Sequence, residues 1–236
     1  MCFSATASFV GSAVLGVIGV ATLSEVKHRR QILFAAIPLL FAVHQMTEGF
    51  VWLGLNHSLP ERVTAEAAAA YLMYAQGLLP FLLPLSVFLI EPTARRRRRM
   101  LVFSLLGGFL GLYLMWGLIA YSMQVSERHH SIIYLNPVTN TDTVAVLYVV
   151  ATCGALFFSG FRDLVVLGAV NLGGLIVVML VMRYAFTSVW CAYAAVISAF
   201  IYFHLRRRRL SPVPYVVVSE SSPLSDKRRS IKPALR

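Results

Sequence analysis

Acidic side chains are scarce in this chain, with ten Asp and Glu among 236 residues against 21 Lys and Arg, for a net charge of +11. Cysteine is scarcer still. Cys2, Cys153 and Cys191 form no CxxC or comparable spacing, and an odd number cannot all pair internally, so no disulfide framework is expected. Charged residues of both signs make up only 13% of the chain, hydrophobic residues 58%, and the mean hydropathy is +0.73. That balance excludes an ordinary soluble domain and fits a membrane bundle. No basic n-region precedes the first apolar run, so a retained first helix is expected rather than a cleaved signal.

The basic excess lies directly against apolar segments, at Lys27 to Arg30, Arg95 to Arg99 and Arg206 to Arg209. Nucleic acid is therefore not the expected partner. Membrane lipids are, with anionic headgroups at Arg95 to Arg99 and Arg206 to Arg209.

Seven apolar runs are long enough to be spans: Ala5 to Ser24, Gln31 to Leu55, Ala67 to Ile90, Leu101 to Ser122, Thr143 to Ser159, Leu164 to Met182 and Phe186 to His204. The fifth, at about 17 residues, sits at the lower limit for crossing hydrocarbon. Parity supports it, because placing all three basic runs on one side requires an even number of spans between each pair. The expected fold is all-α, a seven-helix membrane bundle with its N-terminus outside and its C-terminus cytoplasmic. Residues 1–205 form the one membrane domain, in a plasma (bacterial inner) membrane. The Ser-, Pro- and Arg-rich 206–236 stretch is expected to be a disordered cytoplasmic tail. Pro80 and Pro84 predict a kink in the third span. The glycines at 107, 108, 111, 173 and 174 predict close helix contacts and allow a homo-oligomer.

Chemistry concentrates in the second span, where His44 and Glu48 are one helical turn apart. An ionisable group near a bilayer centre costs about 2.5 to 3.5 kcal/mol on insertion scales unless it faces protein or water. Glu48 lies about 10 Å inside the outer end of its helix. Tyr71 and Tyr74 fall at that depth on the next helix, with Gln76 slightly deeper, and Cys191 belongs to the outer third of the last helix. Cys2 and Ser4 start the chain on the same side. This set leaves three readings open. A transition metal such as zinc, held by His44, Glu48, Cys2 and Cys191, would activate water against a lipid ester or amide, or serve a sensor, with Glu48 and His44 catalytic. A proton-coupled transporter of a small or lipidic molecule would titrate Glu48. A non-catalytic scaffold would use the pair for packing.

Elsewhere, Asn171 predicts an interhelical hydrogen bond, Glu91 a salt bridge to the arginines beside it, and His204 a side chain snorkelling to the interface. A retinal protein needs a lysine in the last span, which has none, and the alkaline ceramidase-like hydrolases bring paired histidines that are missing there.

The opening MCFSATASF, the second-span HQMTEGFVWLGL and the last-span SVWCAYAA together resemble a family of uncharacterised, mostly bacterial multi-pass membrane proteins that begin MCFSA. The resemblance runs from Met1 to about Leu205. It implies an integral membrane bundle, implies no activity, and puts its motifs on Cys2, His44, Glu48, Trp190 and Cys191.

Overall fold

The computed structural model describes residues 4–128, 131–139, 141–181 and 196–207. It is mostly helical (81%). In chain order the elements are α1 (Ala5–Ser24), a 3-10 turn (Arg29–Gln31), α2 (Ile32–Leu55), α3 (Glu61–Leu72), a π-helical segment (Met73–Leu78), α4 (Leu79–Ile90) and α5 (Ala94–Ala120). Strands β1 (Gln124–Arg128) and β2 (Ser131–Leu135), α6 (Asp142–Phe157) and α7 (Arg162–Val181) follow. A further helix, α8, is described over 196–207. Among the described residues four helical stretches are long and apolar enough to cross a membrane: Ala5–Ser24, Arg29–Leu55, Glu61–Ile90 and Ala94–Ala120.

Three elements differ from the sequence expectation. The third helix starts at Glu61 rather than Ala67, because α2 ends in a tight turn. There the Ser58 N–H reaches Leu53 O and the His57 N–H reaches Gly54 O, with His57 at φ 57. The arginines at 95 to 99 lie inside the first turns of α5 instead of preceding it. Most consequential, the connection from Met123 to Asp142 is not a plain loop. Strands β1 and β2 pair antiparallel, from Gln124 opposite Leu135 to Arg128 opposite Ser131, so the fold is not purely helical.

A π segment precedes Pro80, where the third span is expected to kink. Lacking an N–H, Pro80 cannot complete the helical ladder. The Leu79 N–H bonds back to Tyr74 O, and the Ala75 carbonyl loses its helical donor. The Tyr148 hydroxyl of α6 donates to that carbonyl at 2.7 Å. Against the same segment α5 presents two glycines. A Cβ at Gly107 would land on the Pro80 carbonyl, and one at Gly111 on the Gly77 carbonyl. This glycine patch is therefore used within one chain. At Gly173, by contrast, a Cβ would meet nothing within 4 Å.

Helix α1 turns a small-residue face, Ser8, Gly11, Ser12 and Gly19, to α2. A Cβ on Gly19 would sit 2.8 Å from Leu39 N, and the Ser12 hydroxyl donates to Ala42 O at 2.7 Å. The main core gathers α2, α4, α7 and α8 around Phe34, Leu83, Leu164 and Ile201. One end of the bundle collects the turns that carry Arg30, Arg96, Arg162 and Arg206. There Glu91 Oε2 accepts the Gly160 N–H at 2.8 Å, and His204 Nδ1 lies 3.1 Å from Asp163 Oδ2.

Two expectations change at that end. Glu91 takes backbone N–H groups instead of an arginine. His204 is 2% exposed, set edge-on to Phe34 and Phe161, rather than snorkelling, because Asp163 and those rings supply a partner and an aromatic wall. Asn171 does make an interhelical bond, donating to Cys153 Sγ at 3.4 Å. The expected tail overlaps α8 through Arg207, and 208–236 lie outside the described residues.

Gly107→Ala and Gly111→Ala should each cost about 1 to 3 kcal/mol by forcing α5 off the π segment. That is a fall of several degrees in the thermal unfolding midpoint, roughly 2 to 4 °C per kcal/mol. Gly173→Ala should not lower it.

Candidate functional site

At the end of the bundle away from the arginines, α2 carries Glu48 fully buried and His44 at 5% exposure. Among the described residues, three side chains donate to the carboxylate. Gln45 Nε2, three residues back on α2, reaches Oε2 at 2.6 Å. The Tyr71 hydroxyl on α3 reaches Oε1 at 3.3 Å, and Ser8 Oγ on α1 lies 3.5 Å from Oε2. The small face of α1 permits this, since only a close approach brings a one-carbon side chain to α2.

Aromatic rings surround the imidazole. His44 stacks on Tyr71 with centroids 4.0 Å apart and 15° between planes, and meets Tyr74 at 4.8 Å. Tyr74 in turn sets its ring edge-on to Phe41 at 5.9 Å. Tyr71 thus touches both ionisable groups, the imidazole through its face and the carboxylate through its hydroxyl. On its other side Tyr71 stacks against Tyr134 of β2 at 5.0 Å. Tyr134 and Ile132, on one face of the strand, are buried with Val51, Trp52 and Ala68. The hairpin therefore covers the centre.

The structure brings His44, Glu48, Tyr71 and Tyr74 together, as helical spacing and depth lead one to expect. Ser4 does not join them; it caps α1, its hydroxyl accepting the Ala7 N–H at 3.2 Å. Cys2, Trp190 and Cys191 lie outside the described residues. Among the described residues no group of three or more His, Cys, Asp or Glu is placed to hold a metal ion. Gln45, Ser8 and Tyr134 are the site residues that sequence reasoning misses. Gln45 had a signal, since a position three before Glu48 shares its helix face.

Residues 1–215 match the model of a family of unknown function, DUF6629. The chain belongs to the DUF6629 family. Its match spans every element described above, from α1 to α8. No curated protein and no solved structure matches the chain.

For this DUF6629 chain the hairpin's hold on the centre can be tested directly. Tyr134→Ala should speed amide hydrogen exchange in the 68–72 segment by about tenfold, the equivalent of about 1.4 kcal/mol of local stability. Tyr134→Phe, which keeps the stacked ring, should leave it near the parental rate. Mass-spectrometric exchange on the purified protein reads both.

Proposed function

We propose that the chain is a seven-span integral membrane protein of the plasma (bacterial inner) membrane. Its N-terminus and hairpin lie outside and its C-terminus lies in the cytoplasm. Its Glu48 centre takes up and releases a proton in the coupled passage of a small or lipidic molecule. The orientation rests on the gathering of the basic turns at one end of the bundle, where the positive-inside rule puts the cytoplasm. The proton role rests on one observation: a fully buried carboxylate and an imidazole one turn apart share Tyr71 as a common neighbour. Intramembrane acids with such neighbours mark ion pathways and proton relays. Tyr71 and Ser8 are both donor and acceptor, so each can reorient its proton when Glu48 changes state.

A second reading has its own support. Ser8 contacts Glu48 and Ser4 caps the same helix one turn earlier, so the chain enters α1 beside the centre. Cys2 then becomes a candidate third ligand beside His44 and Glu48, with Cys191 as a fourth, in a zinc-type site of a hydrolase or sensor. Both Glu48 oxygens already take protein donors, which leaves fewer of the carboxylate's lone pairs for a metal. That favours the proton reading.

Infrared difference spectra of the protein in lipid, recorded across a pH titration, separate the alternatives. The proton reading expects a carboxyl C=O band that titrates in the parent, is missing from Glu48→Gln and is displaced in Tyr71→Phe. A set of titrating bands identical in parent and Glu48→Gln would sink it. Near-stoichiometric transition metal in the parent and none in His44→Ala would move the assignment to the metal site.

A further inference from the structure

The arginine end carries charge that the fold does not neutralise. Its described basic residues are Lys27, Arg29, Arg30, Arg95 to Arg99, Arg162, Arg206 and Arg207, against Glu25, Glu91 and Asp163. Glu91, 1% exposed, uses Oε2 on the Gly160 N–H at 2.8 Å and Oε1 on the Thr93 N–H at 3.4 Å. Asp163 faces His204. Among the described residues no arginine of this end is paired with a carboxylate.

Two of these arginines lie over aromatic rings. Arg97 lies over Phe88 at 5.8 Å, and Arg206 lies over Tyr202 at 5.7 Å while donating to its hydroxyl at 2.6 Å. Phe203, whose ring meets that of Tyr202 at 5.4 Å, is exposed, as is Phe158 two residues before Gly160. The guanidinium of Arg96 reaches the Gly160 turn, where a Cβ would collide with it, and Arg162 follows two residues later. Arg95, Arg96, Arg98 and Arg99 are exposed. Unpaired guanidinium groups fringed by exposed aromatics match a bilayer interface, where rings sit at headgroup level and arginine grips phosphate through two N–H groups.

We propose that this end is a docking surface for the phosphates of anionic phospholipids, with Arg95, Arg96, Arg98, Arg99 and Arg162 as the contacts. The inference rests on the membrane reading above. It adds which lipid chemistry the protein selects and where.

The test uses full-length protein in nanodiscs of equal phosphatidylcholine and phosphatidylglycerol, with the lipids retained on release counted by native mass spectrometry. The parent should retain phosphatidylglycerol in at least about threefold excess. Arg95→Gln/Arg96→Gln/Arg98→Gln/Arg99→Gln should bring the ratio towards parity, and Arg98→Gln/Arg99→Gln, the milder change, should move it part of the way. Arg62→Gln at the opposite end and removal of 211–236 should leave it unchanged. A parental ratio near parity would overturn the proposal while leaving the membrane reading intact. So would an unchanged ratio in either arginine variant, or loss of the preference on removing the tail alone. A parent that enters no bilayer would overturn both.

Discussion

A carboxylate withdrawn from water must be met by donors or by a proton, and Glu48 is met by donors from three helices. That requirement orders the surrounding structure. Ser8 can reach Glu48 only because α1 presents small residues to α2. Tyr71 can reach it only because α3 crosses α2 with an aromatic face turned inward. The ring of Tyr71 then organises its own neighbours, with His44 on one side and Tyr134 on the other. The hairpin seals the centre from the end of the bundle, so the polar cluster is enclosed by protein on every described side.

The rest of the bundle obeys the same rule at the level of the backbone. An interior without water leaves no partner for a carbonyl released by proline, and the Ala75 carbonyl is taken by Tyr148. The glycines at 107 and 111 let α5 rest directly on the carbonyls of Pro80, at the start of α4, and Gly77, in the π segment. At the opposite end Glu91 closes the turn between α6 and α7 through a backbone N–H. The Arg96 guanidinium reaches the same turn. Among the described residues each end thus has one buried carboxylate, held by side-chain donors at the hairpin end and by backbone donors at the arginine end. Side-chain donors can reorient while backbone donors cannot, which is why the hairpin end is the candidate for chemistry.

Much of the architecture is legible in the sequence because hydrocarbon length and helical period are strong constraints. The run Ala5–Ser24 reads to the residue, and the HxxxE spacing together with tyrosine depth assembles His44, Glu48, Tyr71 and Tyr74. The hairpin is not legible in the same way. Its strands are five residues each, and His129-His130 between them lacks the Gly or Asn that announces a tight turn. Ser8 hides in a stripe that reads as packing. His204 misleads because its partner Asp163 lies on another helix, and pairing across helices has no local signature. Glu91 misleads for the opposite reason: five neighbouring arginines suggest a partner that the turn at Gly160 supplies instead.

The Glu48 network is proposed to serve chemistry rather than to hold the helices together. The most direct test is the thermal unfolding midpoint of Gln45→Leu/Glu48→Leu/Tyr71→Phe, which replaces the carboxylate and its two nearest donors with apolar groups of similar volume. Removing the carboxylate together with its two nearest donors leaves Ser8 as the one described donor to lose it, and buried ionic clusters replaced this way are often neutral or stabilising. A network kept for chemistry gives a midpoint at or above the parental value. A midpoint lower by more than about 10 °C, a loss of several kcal/mol in a chain of this size, would contradict it and make the network a structural clamp.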